Sequence, residues 1–458
     1  MEALRLAPRR YRMPPLPAGA DAAAALGTDV ALAFALEGAR SAADAGTAPP
    51  AALQDLFTRA LATAIRDALA PQGGDAAFQA LVLRAQDPAV QEHVRLSAAR
   101  AGHARRVRSA IDAFAHPGKL AAMQPPQRRQ ALERLHALAS TDDWEALHDE
   151  LRAQAADGAA GEGNPALPTL AAQPELQALL RLQSLQRLDA VRRYRALCAL
   201  QGPDAGSAAA SAQGQASARA GEDAEQRAAE ALAAVAQQLD RLAGGASGRY
   251  RLLRSLRPPA GFPGAAAKAK DEWDAAIVHA PSAAGAAEIV LLVEVKASPA
   301  AATPDLGRLL RGLQRLAEAE PGQAYAFPSA AGDIRIAGGS LRALRPQGLA
   351  LPPHVIYACA APPEVQPPWL SAATRGVLLA QPASIAFAQA LAQGDAPSPE
   401  VLAPVWHALP TAAHLRSALH QFQTARAARE AMLHPDDLLA ALRTVAGEDP
   451  PVQTLPVT

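Results

Sequence analysis

Asp274, Glu294 and Lys296 are the residues whose types and spacing could do chemistry. Asp274 lies in Asp-Glu-Trp-Asp-Ala-Ala-Ile-Val-His (271–279), and the other two in Glu-Ile-Val-Leu-Leu-Val-Glu-Val-Lys-Ala-Ser (288–298). Both runs are β-prone, and the turn-like segment between them makes them a hairpin. A strand's period of two then places Glu294 and Lys296 on one face. Residues 289–293 are uninterrupted Ile-Val-Leu-Leu-Val, as in a strand buried on both faces. A carboxylate and an ammonium at the end of such a strand are costly unless they pair or hold a metal.

The matching chemistry is phosphodiester hydrolysis, which needs a hard divalent cation to offset charge on the phosphate and to acidify the attacking water. Mg2+ typically takes one or two carboxylates together with phosphate and water oxygens. Asp274 and Glu294 would supply the carboxylates and the backbone carbonyl of Val295 a third ligand, with Mn2+ as an alternative ion. Lys296 would orient the water or stabilise the transition state as a fixed cation. The plainer alternative is a surface hairpin on which Glu294 and Lys296 form a solvated pair. Asp271 and Glu272 flank Asp274 and could replace it as ligands under a shifted register.

Basic residues surround this segment. Arg249, Arg251, Arg254, Arg257, Lys268 and Lys270 precede it, with Tyr250 among them, and Arg308, Arg311 and Arg315 follow, with Gln314 beside them. Arg249, Arg251, Arg254, Arg308, Arg311 and Gln314 are the candidates for nucleic-acid backbone contacts. Solvated strand and helix faces explain them equally well. Glu225 and Glu230 lie on a helix before the hairpin, where ordinary exposure is the simpler reading.

The elements that must position these groups occupy the second half of the chain. A helix is expected over 223–243, then strands at 249–256, 272–279, 288–297, 323–327, 354–360 and 375–380. The helix 303–318 has Thr303 as its N-cap, Pro304 at its first position, and a stripe formed by Leu306, Leu309, Leu310, Leu313 and Leu316. Before 200 the pattern is helical, with helices at 51–70, 88–101, 104–115, 126–139 and 174–200, a capped start at 141–145, and a loop near 156–173. Residues 201–222 are low in complexity and read as a flexible linker. The expected fold class is therefore an α/β (α+β) core preceded by an all-α domain. Its divisions are an irregular lead (1–28), a helical domain (29–200), the linker (201–222), the α/β domain (223–395), and C-terminal helices with a tail (396–458).

This order resembles the PD-(D/E)XK nuclease superfamily, whose restriction-endonuclease-like core is a helix, three antiparallel strands, a helix and a further strand. The resemblance covers roughly residues 223–380. Asp274 matches the family's first acidic position, and Glu294-Val295-Lys296 its acidic-x-Lys motif; Trp273 stands where the family name has Pro. The resemblance implies a Mg2+-dependent nuclease acting on nucleic acid, DNA in the first place. The competing expectation is a scaffold that keeps the nuclease fold with a degenerate site and binds a protein partner through its helical domain.

The 458 residues carry 44 Lys+Arg against 44 Asp+Glu, so no global field attracts a polyanion and any nucleic-acid contact must be local. Two cysteines, Cys198 and Cys359, exclude a disulfide framework and point to a reducing cytoplasm. The apolar run 30–36 is too short for a membrane span. His407, His414, His420 and His434 lack the spacing of metal-ligand pairs. No P-loop, dinucleotide fingerprint or zinc-ribbon pattern is present.

Overall fold

The computed structural model describes residues 2–121, 126–158, 166–202, 207–244, 248–281 and 285–447. The C-terminal tail, and parts of the 156–173 loop and of the 201–222 linker, lie outside the described residues. Contacts divide the chain into two compact units. One comprises Met1–Ala64, Ala205–Gln381 and Ser398–Thr458, and the other Ile65–Asp204 with Pro382–Pro397.

The first unit is mixed α/β. Its described strands are β1 (Tyr250–Leu256), β2 (Trp273–His279), β3 (Glu288–Val295), β4 (Ala324–Phe327), β5 (Ile334–Ala337), β6 (Val355–Ala358) and β7 (Met432–Leu433). Five of them form one sheet in the order β1-β2-β3-β6-β7, while β4 and β5 pair separately. β1–β2 and β2–β3 are antiparallel, and β3–β6 and β6–β7 parallel.

Helices cover both faces of this sheet: α1 (Ala208–Leu242), α2 (Ala302–Leu316), α3 (Gln421–Glu430) and α4 (Pro435–Val445). The leucine stripe of α2 is as expected, and Leu306, Leu309, Leu313 and Leu316 are fully buried. They pack with Ala276, Val278 and Leu292 of the sheet, and burying each leucine contributes roughly 1.5–3 kcal/mol. On the opposite face, Ile277, Leu291, Val293 and Ile356 meet Ala228, Leu232 and Val235 of α1 and Leu438 and Leu442 of α4. The residues of β3 thus divide between two cores, Ile289 and Leu292 in one and Leu291 and Val293 in the other, which explains the unbroken apolar run.

Several expectations need correction. Residues 375–379 of the expected 375–380 strand are helical, inside Ala372–Leu379, and Ala380 is that helix's C-cap. α2 begins at Ala302, after a 3-10 turn at Pro299–Ala301, and neither Thr303 caps it nor Pro304 stands first. Residues 208–222 of the expected linker are the first turns of α1, a single 35-residue helix. Residues 398–447 are not a separate appendage, because β7 is an integral strand of the sheet. The lead is not wholly irregular either, since Glu2–Leu6 and Ala20–Ala25 are helical.

Tyr11 anchors the lead. Its buried hydroxyl lies 2.6 Å from the carbonyl oxygen of Cys359 and 2.7 Å from that of Ala361, beside the end of β6. Tyr11→Phe removes the only hydrogen this hydroxyl donates, and is expected to cost about 1–3 kcal/mol. Urea unfolding measures the loss, and an unchanged midpoint would show that the lead is not anchored through this hydroxyl.

In the second unit every described element is a helix. The expected helices 88–101 and 104–115 are one continuous helix, Pro88–Ala115, whose N-cap Asp87 accepts from the Ala89 and Val90 N–H groups. Gly102 sits inside it without interrupting it. The expected 174–200 helix is two, Pro174–Gln186 and Asp189–Ala199. The core gathers Val107, Ile111, Leu135, Trp144, Leu147 and Leu179. No helix among the described residues is long and apolar enough to cross a membrane.

Candidate active site

The hairpin register builds the site. Ala275 pairs with Val293 across β2 and β3, which sets Asp274 alongside Glu294. Asp274 Oδ2 accepts a hydrogen bond from the Val295 N–H at 2.7 Å, turning this carboxylate towards the end of β3. Glu294 is 2 % exposed. Its Oε1 accepts from Lys270 Nζ at 2.6 Å and from Lys296 Nζ at 2.8 Å. Its Oε2 is buried and, among the described residues, has no hydrogen-bond partner. The three expected residues are therefore brought together.

Two further side chains complete the cluster from α2 and β6. Lys296 Nζ lies 3.0 Å from Asp305 Oδ2 in the first turn of α2. The Tyr357 hydroxyl donates to the same oxygen at 3.4 Å, and Lys296 Nζ stands 5.8 Å from the centre of the Tyr357 ring. Lys270 comes from the segment before β2 and is 6 % exposed. Its N–H donates to the Arg308 carbonyl, and its backbone lies against Gly312 of α2, where a Cβ would come within 2.9 Å of it. Arg311 holds the same segment by donating from Nε to the Lys268 carbonyl at 2.9 Å.

The electrostatics follow from this crowding. Burial, and then the Asp274 charge, push the Glu294 carboxyl up to about 7, against the opposing pull of Lys270 and Lys296. Burial alone would lower the Lys296 ammonium, but Glu294 and Asp305 outweigh it and its pKa is raised, so it stays charged. Burial and the charges of Asp305 and Glu294 raise the Tyr357 phenol, which stays protonated. Glu225 of α1 is also raised, first by desolvation and then by Asp274, while Arg254 pulls the other way. Asp274 thus acts on both Glu294 and Glu225.

The other expected residues lie outside this cluster. Arg251 and Arg254 are exposed on β1, and Arg249 is exposed immediately before it. Arg308 pairs with Asp271 at 3.3 Å and Arg257 with Glu272 at 2.7 Å, so both acids flanking Asp274 already have basic partners. Gln314 is exposed on α2, and the Arg315 guanidinium stands over the Phe262 ring. Glu230 accepts from Gln226 on its own helix. Sequence reasoning placed Lys270 only among the basic patch and missed Asp305 and Tyr357. Asp305 carried a signal of its own, an acid in the first turn of the helix that follows the acidic-x-Lys run. Nothing local marks Lys270, whose burial depends on Gly312 forty-two positions later.

The donor set can be weighed against a hard cation. Among the described residues no group of three or more His, Cys, Asp or Glu side chains is arranged to hold a metal ion. The unpartnered Oε2 of Glu294, buried beside a second carboxylate that repels it, is nevertheless the kind of oxygen a divalent cation satisfies. Two carboxylates with backbone, water and phosphate oxygens meet the needs of Mg2+. No protein-family model matches this chain, and searches of curated proteins and of solved structures find no match to it.

Proposed function

We propose that the β2–β3 cluster is the centre of a divalent-metal-dependent phosphodiester hydrolase acting on nucleic acid, with DNA the substrate to test first. The observation that carries this reading is the pair Asp274 and Glu294 on adjacent strands, close enough for one charge to raise the other's pKa, with Glu294 Oε2 left unpartnered in the interior. Asp274, Glu294 and the Val295 carbonyl would hold Mg2+ or Mn2+. When bound, the cation supplies charge neutralisation at the phosphate and a more acidic water.

The chain's own groups do the rest. The Val295 N–H fixes the direction of the Asp274 carboxylate. Asp305 and Glu294 keep the Lys296 ammonium charged and hold it between them, ready to face an anionic transition state. Tyr357 helps to fix Asp305. The restriction-endonuclease-like topology proposed for this unit is consistent with an order of helix, three antiparallel strands, helix and parallel strand, with the β4–β5 pair and a short helix (Gly338–Arg342) inserted before that last strand.

Asp274→Ala and Lys296→Ala are each expected to lower divalent-dependent cleavage of a labelled DNA by roughly 10²-fold or more, the scale of losing one preorganised charge. The assay is cleavage with Mg2+ or Mn2+ against a chelator control. Cleavage that persists in both variants removes the assignment.

A second reading is favoured by one specific observation. Glu294 Oε1 already binds two ammoniums, so the cluster is partly self-compensated and could serve as a buried structural network in a scaffold that binds a protein partner. An absence of any metal-induced rise in melting temperature at millimolar Mn2+ would favour it.

A further inference from the structure

Lys270 has no part in the chemistry proposed above, yet it makes the shortest contact to Glu294 in the site. Its ammonium is 2.6 Å from Glu294 Oε1, and the pair is almost wholly buried, with side chains 7 % and 3 % exposed. It is also held from behind. Its N–H is bonded to the Arg308 carbonyl, its segment is clamped by Arg311, and its backbone is seated on Gly312. An ammonium fixed in this way has little freedom to leave when another cation arrives.

We propose that Lys270 is a built-in counter-cation that keeps divalent-metal affinity at the Asp274–Glu294 pair low when no anionic substrate is present. The inference rests on the metal-centre reading of that pair. Lys270 supplies in the empty site part of the positive charge that a metal would bring, and it repels the metal when one binds at Glu294 Oε2. Two unit charges fixed within several ångströms interact strongly at the effective dielectric of a protein interior, and a divalent ion doubles the effect. A phosphate backbone entering the site adds negative charge that offsets both cations. Metal binding is thereby coupled to substrate binding, which limits occupation of the free protein.

The test is Mn2+ alone, titrated against the full chain at about pH 8.5, well above the ordinary carboxylate range, with the melting temperature as the readout. A ligand that binds only the folded state raises that temperature according to its affinity. Lys270→Met keeps the aliphatic stem and removes the charge, and is expected to tighten Mn2+ binding on the order of ten-fold or more. Gly312→Ala is the second variant, because its Cβ would stand 2.9 Å from both the Cβ and the carbonyl oxygen of Lys270 and must push that segment away. It should tighten Mn2+ binding in the same direction with the lysine still present, and it decides the matter if Lys270→Met shows no cooperative melting. Equal or weaker Mn2+ binding in the folded variants overturns the role of Lys270 alone. No Mn2+ effect in the wild type or in either variant overturns the metal reading, and this inference with it.

Discussion

Glu294→Ala is expected to abolish divalent-dependent cleavage and, at about pH 8.5, where the folded carboxyl has lost its proton, to destabilise the fold by roughly 3–5 kcal/mol, the cost of removing one partner from a buried ion pair. The catalytic loss follows from the proposed ligand role and should reach roughly 10³-fold. The stability loss does not depend on that role, because Lys270 is 6 % exposed and Glu294 is its ion-pair partner. Lys296 loses less, since Asp305 remains. Glu294→Gln separates the two effects. It keeps an oxygen for the ammoniums, so it should lose activity just as fully while destabilising the fold less. Urea unfolding with cleavage assays on the same preparations measures both. Equal stability of the Ala variant and the wild type would show that the ion pair is not held as described.

Raising the pH from about 5 to 7 should weaken the fold, which is opposite to the usual behaviour of a paired carboxylate. Burial and Asp274 hold the folded Glu294 carboxyl at about 7, against an ordinary value of 4.5. Between those values the folded chain keeps a proton that the unfolded chain has lost, so stability falls as pH rises through the window and is flat above it. The full effect is about 3 kcal/mol. Glu294→Gln cannot titrate and lacks this slope. The informative quantity is therefore the difference in unfolding free energy between wild type and Glu294→Gln at several pH values, since other groups cancel in it. A difference constant from pH 5 to 8 would mean that Glu294 titrates normally. A ligating carboxylate must also be ionised, so metal-dependent cleavage should increase as pH rises towards and through neutrality.

The parts of this architecture that could be read from the sequence are those whose side-chain pattern is decided locally. The unbroken Ile-Val-Leu-Leu-Val of β3 and the leucine stripe of α2 announce their burial without help from the rest of the chain. The acids and lysine of the site were legible because they interrupt such patterns. Short elements were not. Gly-Val-Leu-Leu (376–379) is too brief for its period to distinguish a helix from a strand, and it is helical. β5 has four residues and β7 two, and both exist by virtue of the strands they meet. Residues 208–222 lack large apolar groups and so resemble a linker, but they are rich in Ala, the best helix former, and continue a helix anchored further on. Lys270 was hidden for a different reason. Its burial is set by a glycine on another element, a relation that no local window contains.

β7 lies at one edge of the sheet although it follows β6 by more than seventy residues in the chain. During synthesis, the segment from α1 through α2 can condense as soon as it leaves the ribosome, whereas β6 keeps a bare flank until Leu433 has been made. Such late closure exposes an unpaired strand to other nascent chains. A stop codon placed anywhere between β6 and β7 should therefore yield aggregated material, even though every residue of the acidic pair and both lysines would be present.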